Sequence, residues 1–346
     1  MPRILLLATF ALLMPLAQAG ETLRILAWPG YVSQEAVRAF ELRHAATVEV
    51  TVISSDDELW ERARSDAGGG FDLLAVNTAE LKRYIDADLV APIRADRIPN
   101  TRKQLARFRK LANIPGISMD GSIYAIPYTY AGMGLIYNRK LVTPPPTSMN
   151  AMWDARYRGK VLAYNGGAHN FSLTALALGY RDPFHLNPEQ FRRVLERLLQ
   201  LRDNVLKFYS TPEEAVKLFQ EHEVALIFAN YGDQQIQELR RAGADIGYIV
   251  PHEGALAWLD CWAIMRRTPD RSLAEAWINH MLSPSVATQL TQEQGLANTL
   301  KDAPRTSMSE NGKLVWLEPV ENPVQRAAYW ERILSGMPRP RPDQRP

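Results

Sequence analysis

Residues 23–76 read LRILAWPGYVSQEAVRAFELRHAATVEVTVISSDDELWERARSDAGGGFDLLAV, and their rhythm decides the fold. The apolar run LRILA at 23–27 is too brief for a helix and suits a buried strand. Ser33 then offers a hydroxyl to cap a helix over residues 34–44. VEVTVI at 48–53 is rich in β-branched residues, which fit a pleated surface, and reads as a second strand. Ser55 can cap a helix over 56–65, the glycines at 68–70 turn the chain, FDLLAV at 71–76 is a third strand, and Thr78 can cap the next helix. Parallel neighbours need a crossover, and a crossover helix covers a sheet face. The alternation therefore predicts an α/β unit, a mostly parallel sheet flanked by helices.

The rhythm returns downstream. Residues 161–163, 206–209, 224–229 and 246–250 read as strands, and 171–178, 188–202, 212–222 and 233–242 as helices. Pro188 and Pro212 stand where a helix begins, a position at which the missing N–H costs nothing. Ser210 or Thr211 can cap the third helix. This is a second α/β unit. The apolar segments 133–138 and 257–265 are placed to cross between the two units, and the three prolines at 144–146 form a rigid loop.

A chain of 346 residues, 46% of them apolar, is long enough for two such domains. Its formal charge of +2 implies no basic face and so no nucleic-acid partner. Residues 1–19 carry one early charge at Arg3, an apolar run over 4–16 and the small-x-small string Ala17-Gln18-Ala19. That reads as a secretory signal peptide cleaved after Ala19, too short for the roughly 20 residues of a spanning helix. The expected location is the periplasm. Cys261 is the only cysteine, which rules out an intramolecular disulfide, and its apolar setting suggests a buried structural thiol. Residues 338–346, rich in Pro and Arg, read as a frayed tail.

The sequence carries no motif for catalysis or a cofactor. The sequence has no nucleophile elbow and no Walker loop. His222-Glu223 and His252-Glu253 resemble half of a zinc helix but lack a second His four residues on. The expectation is a protein without metal or cofactor. A periplasmic enzyme on the same scaffold would have only His169 and Cys261 to offer as base or nucleophile.

Four strings, in order along the chain, carry a resemblance: LRILAWPGYV at 23–32, FDLLAVNT at 71–78, YAIPYTY at 124–130 and IVPHEGALAWLDCWAI at 249–264. Together they resemble the periplasmic spermidine- and putrescine-binding proteins of ABC transporters, within the extracellular solute-binding proteins. The resemblance implies a two-lobed fold with the ligand in the cleft between lobes. One lobe would take residues 22–131 and 259–305, the other 132–258 and 306–337, with hinges near 131–134 and 257–259. It also implies cleft residues. Trp28 and Tyr31 match a tryptophan and tyrosine that line the cleft, and aromatic faces suit an alkylammonium, covering its methylenes and attracting its charge. Trp258 and Asp260 match a second pair, the acid accepting from an ammonium. A carboxylate in a partly dry, aromatic cleft is costly unless a cation meets it, which makes such a site select amines. Asp233 matches an acid of the putrescine binders, although an Asp before a helix also serves as an N-cap. Asn77, Thr78 and Tyr130 match cleft-lining loops.

The chain also departs from the pattern. Gly166 and His169, within YNGGAHNF at 164–171, stand where the spermidine binders carry two acids. Asn230, Ala79 and Leu296 replace aromatic residues. Each buried ammonium needs an acid, so these losses argue against a long polyamine. The expected ligand is a short diamine such as putrescine, held between Asp260 and Asp233. The alternative is a short ω-amino acid, γ-aminobutyrate or 5-aminovalerate, whose carboxylate would meet donors from Asn165, Gly166, Gly167 and His169 near a helix start. The expected partner is a membrane permease, with a sensor as the rival recipient, and the expected state is a monomer.

Overall fold

The capping signals of the sequence are used nearly as written. Ser33 Oγ accepts from the Ala36 N–H at 3.1 Å, Ser55 Oγ from the Glu58 N–H at 3.1 Å, and Thr211 Oγ1 from the Glu214 N–H at 3.2 Å. Asn187 and Gln190 form a reciprocal capping box. The computed structural model describes residues 21–65, 70–303 and 313–336. The signal peptide at 1–19, Gly68 and Gly69 of the glycine turn, and the tail at 338–346 lie outside those residues.

In chain order the protein forms β1 (Thr22–Ala27), α1 (Gln34–His44), β2 (Thr47–Val52), α2 (Asp56–Arg64), β3 (Leu73–Asn77), α3 (Thr78–Asp86) and β4 (Val90–Ala91). There follow α4 (Ala106–Arg109), β5 (Ser118–Met119), β6 (Ser122–Ile123), β7 (Ala125–Met133) and β8 (Leu135–Asn138). The next stretch holds β9 (Val161–Tyr164), α5 (Gly167–Ala177), α6 (Pro188–Leu201), β10 (Val205–Tyr209), α7 (Pro212–Glu221), β11 (Leu226–Phe228), α8 (Asp233–Arg241) and β12 (Ile246–Ile249). The chain ends with β13 (Ala255–Met265), α9 (Arg271–Met281), α10 (Pro284–Gln294), β14 (Ala297–Asn298), β15 (Leu314–Trp316) and α11 (Pro323–Leu334).

Two of the helix starts differ from the sequence reading. Asn77, not Thr78, caps α3: its Oδ1 accepts from the Glu80 N–H at 3.0 Å, and Thr78 becomes the first helical residue. α5 begins at Gly167 rather than residue 171. The Asn170 N–H closes a first turn on the Gly166 carbonyl at 3.1 Å, while its side-chain amide donates to the Tyr164 and Gly166 carbonyls.

The strands form two large sheets, with β5 and β6 a separate pair. One large sheet has the order β14-β7-β13-β3-β1-β2, with β4 and β15 also on β13; the other has the order β10-β9-β11-β8-β12. Each has a parallel part, β1 between β2 and β3 in the first and β9 between β10 and β11 in the second. Each also has antiparallel strands: β13 runs against β3 and β7, and β8 against β11 and β12. This is a two-lobed α/β fold. The chain passes from the first sheet to the second between β7 and β8, at Gly134. A Cβ there would lie 2.2 Å from the Tyr248 hydroxyl and 2.4 Å from the Ile249 carbonyl oxygen, so the crossing admits no side chain. It returns between β12 and β13, so residues 257–265 do not cross as expected: β13 lies wholly in the first sheet, its ladder with β7 starting at Leu256. The C-terminal segment touches both lobes: β15 pairs with β13 over Ala255–Ala257, and α11 packs on α5. No helix among the described residues is long and apolar enough to cross a membrane.

Candidate functional site

Strands β1, β2 and β3 lie side by side and parallel, so their carboxyl ends open on one rim. In open α/β sheets that rim is where ligands bind. The residues just past it are Trp28 after β1, Asp56 after β2 and Asn77 at the end of β3. β13 runs antiparallel to β3 and sets Asp260 opposite Asn77. The second lobe faces this rim with Tyr164 at the end of β9, His169 in the first turn of α5, and Asn230, Tyr231 and Gln234 around the start of α8. Together with Pro29, Tyr31 and Trp258, these side chains line one cavity of about 470 Å³, part of it open to solvent.

Asp260 is only 5% exposed. The Tyr31 hydroxyl donates to its Oδ2, and the Tyr128 hydroxyl holds the Tyr31 carbonyl at 2.8 Å. Among the described residues no basic side chain pairs with it. Burial pushes its carboxyl up to about 7; the Tyr31 hydrogen bond opposes that rise and the nearby Asp56 adds to it. Burial likewise raises Asp56 to about 6, against the pull of Arg83. Asn77 serves both neighbours, its Oδ1 capping α3 and its Nδ2 donating to Asp56 Oδ1 at 2.9 Å. Arg83 donates to the Asp56 backbone carbonyl at 2.8 Å and pairs with Glu80 at 2.9 Å.

The aromatic wall is held by its polar tips. Trp28 Nε1 donates to the Ala75 carbonyl at 3.0 Å and Trp258 Nε1 to the Asn230 carbonyl at 2.9 Å. Tyr31 and Trp258 lie 6.5 Å apart, tilted by 31°. On the facing lobe Tyr164 stacks on His169 at 5.5 Å and meets Tyr231 edge-on at 5.8 Å. His169 Nδ1 lies 2.9 Å from Asn230 Oδ1, and burial keeps its imidazole below the usual range, which favours the neutral ring. The wall has the chemistry for an apolar stem with a cationic end.

The structure brings Trp28, Tyr31, Asn77, His169, Trp258 and Asp260 together around this cavity. It does not bring in Thr78, Tyr130 or Asp233. Thr78 is buried at the start of α3, its backbone packed against Gly116. The Tyr130 ring packs on Phe108 at 5.3 Å and Trp316 at 5.9 Å, with the Arg107 guanidinium 4.8 Å from its centre. Asp233 opens α8, and its charge acts on Tyr248; successive residues of a helix point about 100° apart, and Gln234 is the one that lines the cavity. Gly166 and Gly167 are not on its wall either, a Cβ on each running into Tyr164 and Trp330 respectively. Sequence reasoning missed Asp56, Tyr164, Tyr231 and Gln234. Asp56 carried a usable signal, since it follows β2 as Trp28 follows β1.

Comparison with known proteins places this site in a family. The family described as bacterial extracellular solute-binding protein matches residues 35–315. A spermidine/putrescine-binding periplasmic protein of Escherichia coli K12 is 24% identical over 282 residues, covering 81% of this chain and 78% of its own. A putrescine/agmatine-binding protein of Pseudomonas aeruginosa PAO1 is 22% identical over 343 residues, covering 89% and 90%. Among solved structures, a putative spermidine/putrescine ABC transporter protein from Listeria monocytogenes superposes with a TM-score of 0.77 at 19% identity, covering 91% of this chain and 98% of its own. The Atu4243–GABA receptor does so with a TM-score of 0.70 at 15% identity, covering 91% and 97%. With the match running across most of both lobes and the cavity lying between them, the chain belongs to the bacterial extracellular solute-binding proteins.

Proposed function

We propose that this protein is the periplasmic substrate-binding component of an ABC importer for polyamines, and that its ligand is a short diamine such as putrescine. One observation carries the reading: Asp260, a carboxylate almost wholly buried beneath Tyr31 and Trp258, has a hydroxyl for a partner and, among the described residues, no basic side chain. Such a group is costly in the empty protein and favourable once an ammonium arrives. The names of the Escherichia and Pseudomonas relatives support the amine class.

The alternative, a short ω-amino acid, needs a partner for its carboxylate. Among the described residues the inner cavity wall has no Lys or Arg; Gly166, Gly167 and Arg83 border the adjoining outer chamber, where Asp56, Asp57, Glu80 and Glu331 make a poor setting for an anion. The likeness to a GABA receptor, at 15% identity, speaks for the fold alone. Catalysis is disfavoured because the candidate nucleophile, the Cys261 thiol, is buried and pushed well up, which leaves His169 a base without it.

In the mechanism, the lobe of the first sheet, β15 included, and the lobe of the second sheet hinge where the chain crosses between them, near 134 and over 250–254 rather than 257–259. The open form admits the amine to Asp260 and the aromatic wall of the first lobe. Tyr164, His169, Asn230 and Tyr231 then close over it, and contacts available only in the closed form shift the population. The closed monomer delivers its cargo to a membrane permease.

Thermal unfolding of the mature protein with putrescine, cadaverine, spermidine, γ-aminobutyrate and 5-aminovalerate tests this. A ligand at about 100 times its Kd adds roughly 2.7 kcal/mol of stability. The diamines should raise the midpoint most. A larger rise with the ω-amino acids would replace the ligand assignment, and no rise with any of them would remove the amine reading.

A further inference from the structure

Asp260 holds one end of a diamine; the other end needs a second acid. The sequence offered Asp233, which does not line the cavity. The acids that the resemblance expects on the second lobe are replaced by Gly166 and His169. The cavity wall nevertheless has a second carboxylate, and it comes from the opposite lobe. Asp56 is the first residue of α2, brought to the rim by β2 and faced across the cleft by Tyr164 and His169.

Three features fit Asp56 for a cation. First, its position is fixed from behind. Asn77 Nδ2 holds one oxygen at 2.9 Å, and Arg83 grips its backbone carbonyl rather than its carboxylate. Second, its charge is not neutralised there. Arg83 pairs with Glu80 at 2.9 Å and lies 3.9 Å from Asp57, so one guanidinium serves an environment of three carboxylates. From the second lobe Tyr164, Tyr231 and His169 face it across the cavity, the His169 imidazole held below its usual range by burial, and Glu331 of α11 borders the outer chamber beside it. Third, Asp56, Tyr164 and His169 also border an adjoining outer chamber between the lobes. A ligand end at Asp56 is therefore at the mouth of the cavity, where an ammonium keeps part of its hydration.

We propose that Asp56 is the specificity-determining residue of the site: it receives the second ammonium and makes the protein choose a dication, with a cationic group at each end, over a zwitterion of the same length. This rests on the amine reading above. 5-Aminovalerate differs from a diamine at its far end by a carboxylate, which Asp56 would repel; 1-butylamine has no far charge and should be indifferent to Asp56.

Isothermal titration of the full mature protein and its Asp56→Asn and Asp233→Asn variants with putrescine, 1-butylamine and 5-aminovalerate tests the assignment. Asp56→Asn should weaken putrescine by ~10–100-fold, the usual worth of a charge-assisted hydrogen bond. It should leave 1-butylamine within about twofold, since that ligand needs only Asp260, and should narrow the preference for putrescine over 5-aminovalerate. Asp233→Asn should leave all three within about twofold, as a residue off the cavity wall. Unchanged putrescine binding in Asp56→Asn, an equal loss for 1-butylamine, or a loss confined to Asp233→Asn would overturn the assignment while leaving the amine reading intact. A parent protein that binds none of the amines would overturn both.

Discussion

Among the buried charged side chains of the described residues, Arg326 and Asp260 are treated in opposite ways. Arg326, in α11, is 0% exposed. Its guanidinium forks onto Glu321 at 2.7 and 3.1 Å and donates to Ser172 Oγ at 2.8 Å and to the carbonyls of Ala168, Pro183 and Phe184. Every side of the ion is met by the chain itself, and the result ties the C-terminal helix to the second lobe. Asp260 receives one tyrosine hydroxyl. A buried charge that the fold satisfies is a structural clamp; one that the fold leaves short is an opening for a ligand. Burial alone does not separate the two, whereas the list of partners does.

Removing each charge should therefore have opposite consequences. Arg326→Ala should lose about 3–5 kcal/mol of unfolding free energy, because Glu321 and several carbonyls are left without their donor. Chemical denaturation would show it, and ligand preference should be unchanged. Asp260→Asn should lower putrescine affinity by ~100-fold or more, the cost of leaving a desolvated ammonium without its anion. The same variant should hold or gain stability in the empty protein above pH 7, since it removes a buried, unpaired carboxylate. A stability loss like that of Arg326→Ala would make Asp260 a structural residue.

The pH dependence sharpens the contrast. The Asp260 carboxyl titrates near 4 in an unfolded chain and at about 7 in the fold. The native state thus holds the proton more tightly. Its contribution to stability is full below pH 4 and falls as pH rises through 7, by on the order of 4 kcal/mol. Affinity for an ammonium runs the other way, because only the ionised form pairs with it: about tenfold tighter at pH 8 than at pH 6 from Asp260 alone. Melting curves and titrations across that range check both signs, and Asp260→Asn should flatten both.

The smallest effect belongs to the seam between the lobes. Arg241 and Gln237, in α8, donate to the carbonyls of Glu293 and Gln292 at the end of α10, at 2.8 and 2.9 Å. In the proposed mechanism these contacts form on closure. Arg241→Ala should weaken every ligand equally, by about 0.5–1.5 kcal/mol, without changing their order. A change in selectivity would place Arg241 in the site itself.

What the sequence made legible follows the range of the forces involved. Capping and periodicity are local, so the helices that Ser33, Ser55 and Thr211 begin were readable within a residue or two. Trp28, Tyr31, Trp258 and Asp260 were found through the resemblance, because they stand in strings that it covers. Asp56 was not, since its role depends on β2 delivering it to the rim beside β1 and on Tyr164 and His169 arriving from the other lobe. Asp233 and Tyr130 were misplaced for the converse reason. Sequence proximity to a cleft loop does not say which way a side chain turns, and one step along α8 separates Asp233 from the lining residue Gln234.

The most direct test of a cation site built on an unsatisfied carboxylate is calorimetric titration of putrescine at pH 6 and pH 8, in buffers of different ionisation enthalpy, with the parent protein and Asp260→Asn. The account predicts at least about tenfold tighter binding at pH 8 and release of about one proton from Asp260 and about half of one from Asp56 at pH 6, the larger part of both lost in Asp260→Asn. Equal affinity at the two pH values with no proton released, or an Asp260→Asn variant that binds as the parent does, would contradict it.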